Sequence, residues 1–329
     1  MTDPATPTAT RRRILLLGGT GTIGRATLRE LLGRGHEVVA LARPGAALPP
    51  ARGGLAWRTG DLADPAAVAR DGLRGERFDA VVSCLASRNG APADAWAVDN
   101  LAHRHALQAV LAAGVPRWLQ LSALCVQKPR LAFQHAKLAF EAELMTAPLD
   151  WTIVRPTAFF KSLSGQVERV RQGKPFLMFG DGTLTACKPI ADEDLATYLA
   201  DRLADPASRR RVLPIGGPGD AITPRQQGER LFELLGRPPR FKSVPPGLLA
   251  GIAGALGAAA RLLPPLQAKA EFARIGHYYA TESMLVWDTA AGRYDAAATP
   301  STGTRTLFEH YAALLRGDAA HERGEHAVF

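Results

Sequence analysis

Gly18, Gly21 and Gly24 stand three residues apart in Gly18-Gly19-Thr20-Gly21-Thr22-Ile23-Gly24, between an apolar run at 14–17 and an amphipathic stretch of helical length. In a strand–turn–helix setting the first glycine permits a tight turn, the second lets the backbone approach a diphosphate, and the third lets helix and strand pack closely. N–H groups at the helix start, those of Thr22 and Ile23 among them, then meet phosphate oxygens. The motif predicts a dinucleotide site; a plain glycine-rich turn is the alternative. The next apolar run ends Val39-Ala40-Leu41-Ala42-Arg43-Pro44. An acid at this place binds the ribose 2′-OH of NAD, whereas an arginine accommodates the 2′-phosphate of NADP. Arg43 therefore predicts NADPH, a solvated loop arginine being the plainer reading. Asp61-Leu62 follows the third run, where an Asp bonds the adenine amino group and the next N–H a ring nitrogen. Asp61 equally suits a turn or a helix cap. Ser83-Cys84-Leu85-Ala86 closes the fourth run where small residues cover the adenine ribose, or is simply a strand end, and Cys84 there reads as a small buried hydrophobe.

Ser122 and Lys137 decide the chemistry. They occupy the places of serine and lysine in the Ser–Tyr–Lys set of short-chain dehydrogenases, whose tyrosine stands four residues before the lysine. Here that residue is Phe133, in Phe133-Gln134-His135-Ala136-Lys137. Without the phenol, ordinary alcohol oxidation lacks the group that shuttles the O–H proton. A lysine kept without it still bonds the nicotinamide ribose hydroxyls and lowers the energy of negative charge developing nearby. A solvated helix lysine is the alternative, and His135 reads as a surface residue.

The elements that must position these residues are legible from residue 13 onward. Apolar runs at 14–17, 37–42, 55–59, 80–84, 118–121 and 151–154 alternate with helical stretches at 23–34, 65–73, 95–113 and 131–145. Strands joined by crossover helices make a parallel sheet, so the fold class is α/β, a Rossmann doubly wound sheet with a smaller C-terminal substrate-binding region. The expected divisions are a disordered lead at 1–12, the NADP-binding domain at 13–156, and a substrate-binding region at 157–329 partly interleaved with the sheet. In that region 212–215 can add a strand, and 226–235 reads as a helix capped by Thr223-Pro224 and ended by Gly236.

Composition excludes other classes. The chain has 329 residues, 40 Lys+Arg against 31 Asp+Glu and a formal charge of +9. Only 7 of the 40 are lysine and the excess is spread thinly, so no basic face marks a nucleic-acid partner. Cys84, Cys125 and Cys187 lie far apart with no CxxC pair, which supports neither a disulfide framework nor a metal site. The uncharged, Gly/Ala-rich stretch at 243–260 is too short and weakly apolar for a membrane span, and reads as a buried or membrane-surface helix.

Beyond the glycine motif and the lone lysine, the chain resembles the atypical short-chain reductases of the NmrA/isoflavone-reductase type, and within them the NADPH-dependent divinyl chlorophyllide 8-vinyl reductases. The segments that carry this include Leu121-Ser122-Ala123-Leu124-Cys125-Val126-Gln127-Lys128-Pro129, Val154-Arg155-Pro156-Thr157-Ala158-Phe159-Phe160-Lys161 and Arg274-Ile275-Gly276-His277-Tyr278-Tyr279-Ala280-Thr281-Glu282-Ser283-Met284. The resemblance implies reduction of a C8 vinyl group to ethyl on the route to chlorophyll or bacteriochlorophyll. Lys137 would orient NADPH, while Ser122 and the Pro156, Thr157 and Phe159 loop would hold the nicotinamide face. The proton would come from water or a residue such as Tyr278. Phe159, Phe160, Phe176, Met178 and Phe179 would floor a pocket for the tetrapyrrole, and Lys161 or Lys188 would meet its carboxylate, the aromatics being core and the lysines solvated in the plainer reading. The short lead suggests a bacterial enzyme of the cytoplasm, with peripheral contact to a photosynthetic membrane. A non-catalytic NADPH sensor and a reductase of a smaller conjugated alkene are the rival readings.

Overall fold

The structure is a computed structural model and describes residues 10–318 apart from 52, 89, 261–262 and 264–265; most of the expected N-terminal lead and the last eleven residues lie outside it. The six apolar runs become the strands β1 (Arg13–Leu17), β2 (Glu37–Ala42), β3 (Leu55–Thr59), β4 (Ala80–Ser83), β5 (Arg117–Leu121) and β6 (Asp150–Pro156). Between and after them run α1 (Thr22–Gly33), α2 (Pro92–Ala95), α3 (His103–Ala112) and α4 (Ala132–Thr146). Two helical stretches, Val68–Leu73 and Trp96–Ala102, are wound as π-helical turns, the second joining α2 to α3.

The remaining chain forms α5 (Phe160–Leu163), α6 (Val167–Arg171), β7 (Phe176–Phe179), α7 (Asp192–Ala204), β8 (Arg211–Ile215), α8 (Pro224–Leu234) and β9 (Phe241–Val244). It ends in α9 (Pro246–Ala259), α10 (Leu266–Thr281), the pair β10 (Val286–Asp288) and β11 (Arg293–Asp295), and α11 (Leu307–Arg316). The main sheet has seven parallel strands in the order β3-β2-β1-β4-β5-β6-β8. The chain therefore returns to the sheet after residue 157, as the run at 212–215 suggests. β7 pairs with β9 in a separate parallel ribbon.

Alternation along β1 shows why the sheet is buried on both faces. Leu15 and Leu17 join a core with α3 and α4, through Leu107, Val110, Phe140 and Leu144. Ile14 and Leu16 face the other way, onto Leu28 and Leu31 of α1 and Leu195 and Leu199 of α7. A strand buried on both faces is a continuous apolar run, which is how these strands read. A third core, with Phe176, Phe232 and Tyr311, supports the C-terminal region. Thr223 caps α8 by accepting from the Gln226 N–H at 3.3 Å.

The uncharged stretch is a surface helix and not a buried one: within α9 only Ala253 is buried, and Leu248 and Ile252 are exposed. Among the described residues no helix is long and apolar enough to cross a membrane.

The turn from β1 to α1 tolerates no side chain at two of its glycines. Gly18 has φ +77°, and a Cβ there would lie 2.6 Å from the backbone carbon of Cys84; at Gly24 it would lie 2.0 Å from the carbonyl oxygen of Gly18. Gly24→Ala is expected to lower the unfolding free energy by about 2 kcal/mol, as overpacking does, read from urea denaturation. An unchanged midpoint would show that the turn yields freely.

Candidate active site

Every residue expected at the cofactor site from the glycine turn to Thr157, Lys137 apart, lies at or just past the carboxyl end of a parallel strand, the edge where open α/β sheets bind ligands. Gly21 begins α1 in extended geometry with no side-chain cap, and the first turn holds no acid. The opening N–H groups thus find no acceptor within the helix, and a partial positive charge collects there. Arg43 is exposed just past β2, and its side chain has no hydrogen-bond or ion-pair partner among the described residues. Asp61 accepts from the Ala63 N–H at 3.0 Å, so it shapes a turn with one carboxylate oxygen. The Leu62 carbonyl accepts from His105 Nδ1 at 2.9 Å. Cys84 is half-buried, against its reading as a buried hydrophobe, and donates to Thr27 Oγ1 at 3.6 Å, with desolvation pushing its thiol up to about 12; Leu85 is half-buried and Ala86 exposed.

Lys137 is held by a residue that the sequence did not single out. Its Nζ lies 2.8 Å from Oδ1 of Asp99, whose side chain is fully buried in the π-helical turn before α3. The same oxygen accepts from the Ser87 N–H at 3.3 Å. Asp99 Oδ2 and Ser122 Oγ are both buried without a hydrogen-bond partner among the described residues. Buried polar atoms left so are costly, and these two lie beside the lysine and the strand end where a nicotinamide ribose would be held. The glycine cradle and the orphaned oxygens fit a nicotinamide dinucleotide.

His103, also unforeseen, stands behind this pair. Its ring accepts from Ser83 Oγ at 2.9 Å and donates through Nδ1 to the Val98 carbonyl at 2.9 Å. Burial, helped by the Lys137 ammonium, lowers its pKa to about 4. His135 is exposed, as expected, and Phe133 is half-buried against α10.

The C-terminal segments brace α4. Glu271 accepts from the Ala132 N–H at 3.0 Å, and Lys128 pairs with Glu282 at 2.7 Å while its ammonium lies 4.1 Å over the Trp287 ring. Tyr278 donates to the carbonyls of Cys125 and Lys128, at 2.9 and 3.1 Å. With that proton committed and burial raising the phenol well above its usual range, Tyr278 is a bracing residue, which corrects its expected role at the substrate.

Other substrate expectations need the same correction. Phe160, Phe176 and Met178 are buried in the third core, where Phe160 stacks near His310. Lys188 donates to the Thr299 carbonyl at 3.0 Å and Ser301 Oγ at 3.2 Å, tying down a loop. Lys161 reaches the glycine turn, with Nζ 3.0 Å from Thr22 Oγ1. Thr157 uses its N–H and hydroxyl on the carbonyls of Ile215 and Lys188, while Pro156 pairs with β8 and Phe159 is half-buried against the sheet core. Of the expected floor, Phe179 lines a groove of about 530 Å³ with Val244, Ile252, Leu256, Phe272 and, as the one charged residue among the described lining, Lys269.

Fold and cleft together define a nicotinamide-dinucleotide-binding protein of the Rossmann type. The NAD(P)H-binding family model matches residues 18–206, and the chain belongs to that family. Within it, the chain belongs to the divinyl chlorophyllide a 8-vinyl-reductases. The chloroplastic relative of that name from Oryza sativa subsp. indica is 47% identical, over 96% of this chain and 82% of its own. Among solved structures, Bordetella bronchiseptica WbmG in complex with NAD matches with a TM-score of 0.70 at 17% identity, covering 98% of both chains. The NADPH-dependent quinone oxidoreductase QOR2 of Escherichia coli matches at 0.66 and 19%, covering 92% of this chain and 99% of its own; these likenesses show the fold. The expectation of a bacterial cytoplasmic enzyme is overturned, since the high-identity relatives are chloroplastic plant proteins.

His103 makes folding stability depend on pH. The unfolded imidazole gains its proton below about 6.5, while the folded one stays neutral to about 4. The contribution is full above 6.5 and is lost as pH falls toward 4, about 3 kcal/mol in all. His103→Gln is expected to remove that part of the slope in denaturation measured across this range; an unchanged slope would contradict a neutral buried imidazole.

Proposed function

We propose that this protein reduces the C8 vinyl group of divinyl chlorophyllide a to ethyl on the route to chlorophyll, with NADPH as reductant. The observation that supports the reading is Lys137 paired with buried Asp99, on a helix whose sequence has Phe133 in place of a phenol acid four residues before the lysine. The high identity to named 8-vinyl-reductases supports it.

A bound nicotinamide dinucleotide supplies the hydride. A vinyl conjugated to the macrocycle accepts it at the terminal carbon, because the negative charge spreads into the ring system. A proton then adds at the adjacent carbon, and water provides it. No alkoxide is made, so no phenol acid is needed. Lys137 holds the ribose and lends its charge, Ser122 meets the nicotinamide side, and Arg43 takes the 2′-phosphate that distinguishes NADPH.

Residues 13–156 carry most of the cofactor site, and residues 157–329, partly interleaved with the sheet, carry the pigment. The groove beside Phe179 suits the plate, with Lys269 at its carboxylate in place of Lys161 or Lys188. The exposed apolar side chains of α9 give peripheral contact to the membrane where pigment resides.

With NADPH and divinyl chlorophyllide a, the purified protein is expected to shift the Soret band to the blue, and Lys137→Ala to slow that shift by about tenfold or more. No shift, with NADPH binding intact, would contradict the reading and leave a cofactor-sensing role; a shift only with a smaller conjugated alkene would reassign the substrate.

A further inference from the structure

We propose that α9 and the basic residues around it dock the protein on an anionic lipid surface, so that the groove beside Phe179 takes its ligand from the bilayer. α9 is an uncharged helix of 14 residues, of which only Ala253 is buried. Leu248, Gly251, Ala255 and Ala258 are all exposed and fall at helical spacing on one side. That side adjoins the one carrying the groove residues Leu249, Ile252 and Leu256. Ile252 and, across the groove on α10, Phe272 are exposed as well, so the groove opens on the surface that α9 presents. An uncharged helix facing solvent leaves apolar area in water, and covering that area is favourable.

Charge decides what covers it. Between residues 240 and 280 the sequence holds five Lys/Arg and a single acid, Glu271. Glu271 is buried and engaged with the Ala132 N–H and with Arg274, and Asp181, in the neighbouring loop after β7, lies beside Arg225. Arg240, Lys242, Lys269 and Arg274 are exposed. Arg274 crosses α9 at Gly257, where a Cβ would stand 2.8 Å from its Nη2. An uncharged helix flanked by cations suits lipid, since the apolar stripe enters the interface while the Lys and Arg stems run up to the headgroup phosphates. A second copy of the chain fits worse, because pairing these faces would set cations against cations. The chain's formal charge of +9 adds to the attraction for an anionic surface. With 14 residues, α9 lies along such a surface and does not cross it.

Loading from the bilayer rests on the pigment reading of the proposed function; the docking face does not. Flotation of the full chain with vesicles tests the face. Reduction of divinyl chlorophyllide a, carried in the same vesicles or dispersed in detergent, tests the loading. The protein is expected to bind mixed phosphatidylglycerol and phosphatidylcholine vesicles, and to bind pure phosphatidylcholine about tenfold or more weakly. Leu248→Glu/Ala255→Glu, at exposed positions outside the groove, is expected to weaken vesicle binding about tenfold or more. It is expected to slow reduction of vesicle-borne pigment by a similar factor and to leave turnover in detergent unchanged. Lys242→Gln is expected to cost about fivefold in binding to the anionic vesicles. A wild-type chain that ignores anionic vesicles, or a double variant that floats as well as wild type, would overturn the docking face. A wild-type dimer that the double variant splits into monomers would give the face to a second copy and overturn it too. Reduction slowed equally in vesicles and detergent, or in neither, would overturn loading from the bilayer. Vesicle binding with no reduction in either medium would overturn the substrate reading and support the lipid contact alone.

Discussion

A carboxylate and an ammonium buried against each other fix the geometry of this site. The Asp99 side chain is fully buried and Lys137 nearly so, and removing one partner of such a pair leaves an uncompensated charge that costs about 3–5 kcal/mol. The pair ties the π-helical turn before α3 to the middle of α4. A second set of contacts, from Glu271 and Tyr278 of α10 and from Glu282, holds the start of α4 and the turn after β5. The C-terminal part of the chain thus fixes the helix that carries the lysine, besides framing a groove of its own.

That arrangement accords with the proposed reduction, which has no tyrosine to call on. In alcohol chemistry the phenol moves a proton at an oxygen, and the lysine serves it. Where hydride adds to a conjugated vinyl group, charge is absorbed by the ring system, and in the proposed reading the lysine serves the cofactor and lends its charge without a phenol to assist. In the proposed reading Asp99 positions the lysine, and the Ser122 hydroxyl and Asp99 Oδ2, which have no partner among the described residues, would receive the cofactor's own polar groups.

The sheet was legible because parallel strands buried on both faces read as unbroken apolar runs, and all six expected ones are present. The glycine turn was legible because its chemistry is local. The residues misplaced in the reading share a different property, in that their partners are far away in sequence. Lys161 meets Thr22 and Lys188 meets Thr299 only because the sheet topology brings those loops together. Phe160 and Met178 looked like a pocket floor because aromatic and sulfur side chains near a ligand and in a core have the same composition. Asp99 did leave a trace: Asp99-Asn100 interrupts the apolar run from Ala95 to Ala102, and a carboxylate there calls for a buried cation.

Isotope placement tests the hydride chemistry most directly. Divinyl chlorophyllide a is reduced with NADPH dideuterated at C4 of the nicotinamide in ordinary water, and in parallel with unlabelled NADPH in heavy water, and the ethyl group is read by NMR. The expected result is cofactor deuterium on the terminal methyl carbon and solvent deuterium on the carbon attached to the ring. Cofactor deuterium on the ring-attached carbon, or on neither, would contradict hydride addition to the end of a conjugated vinyl group.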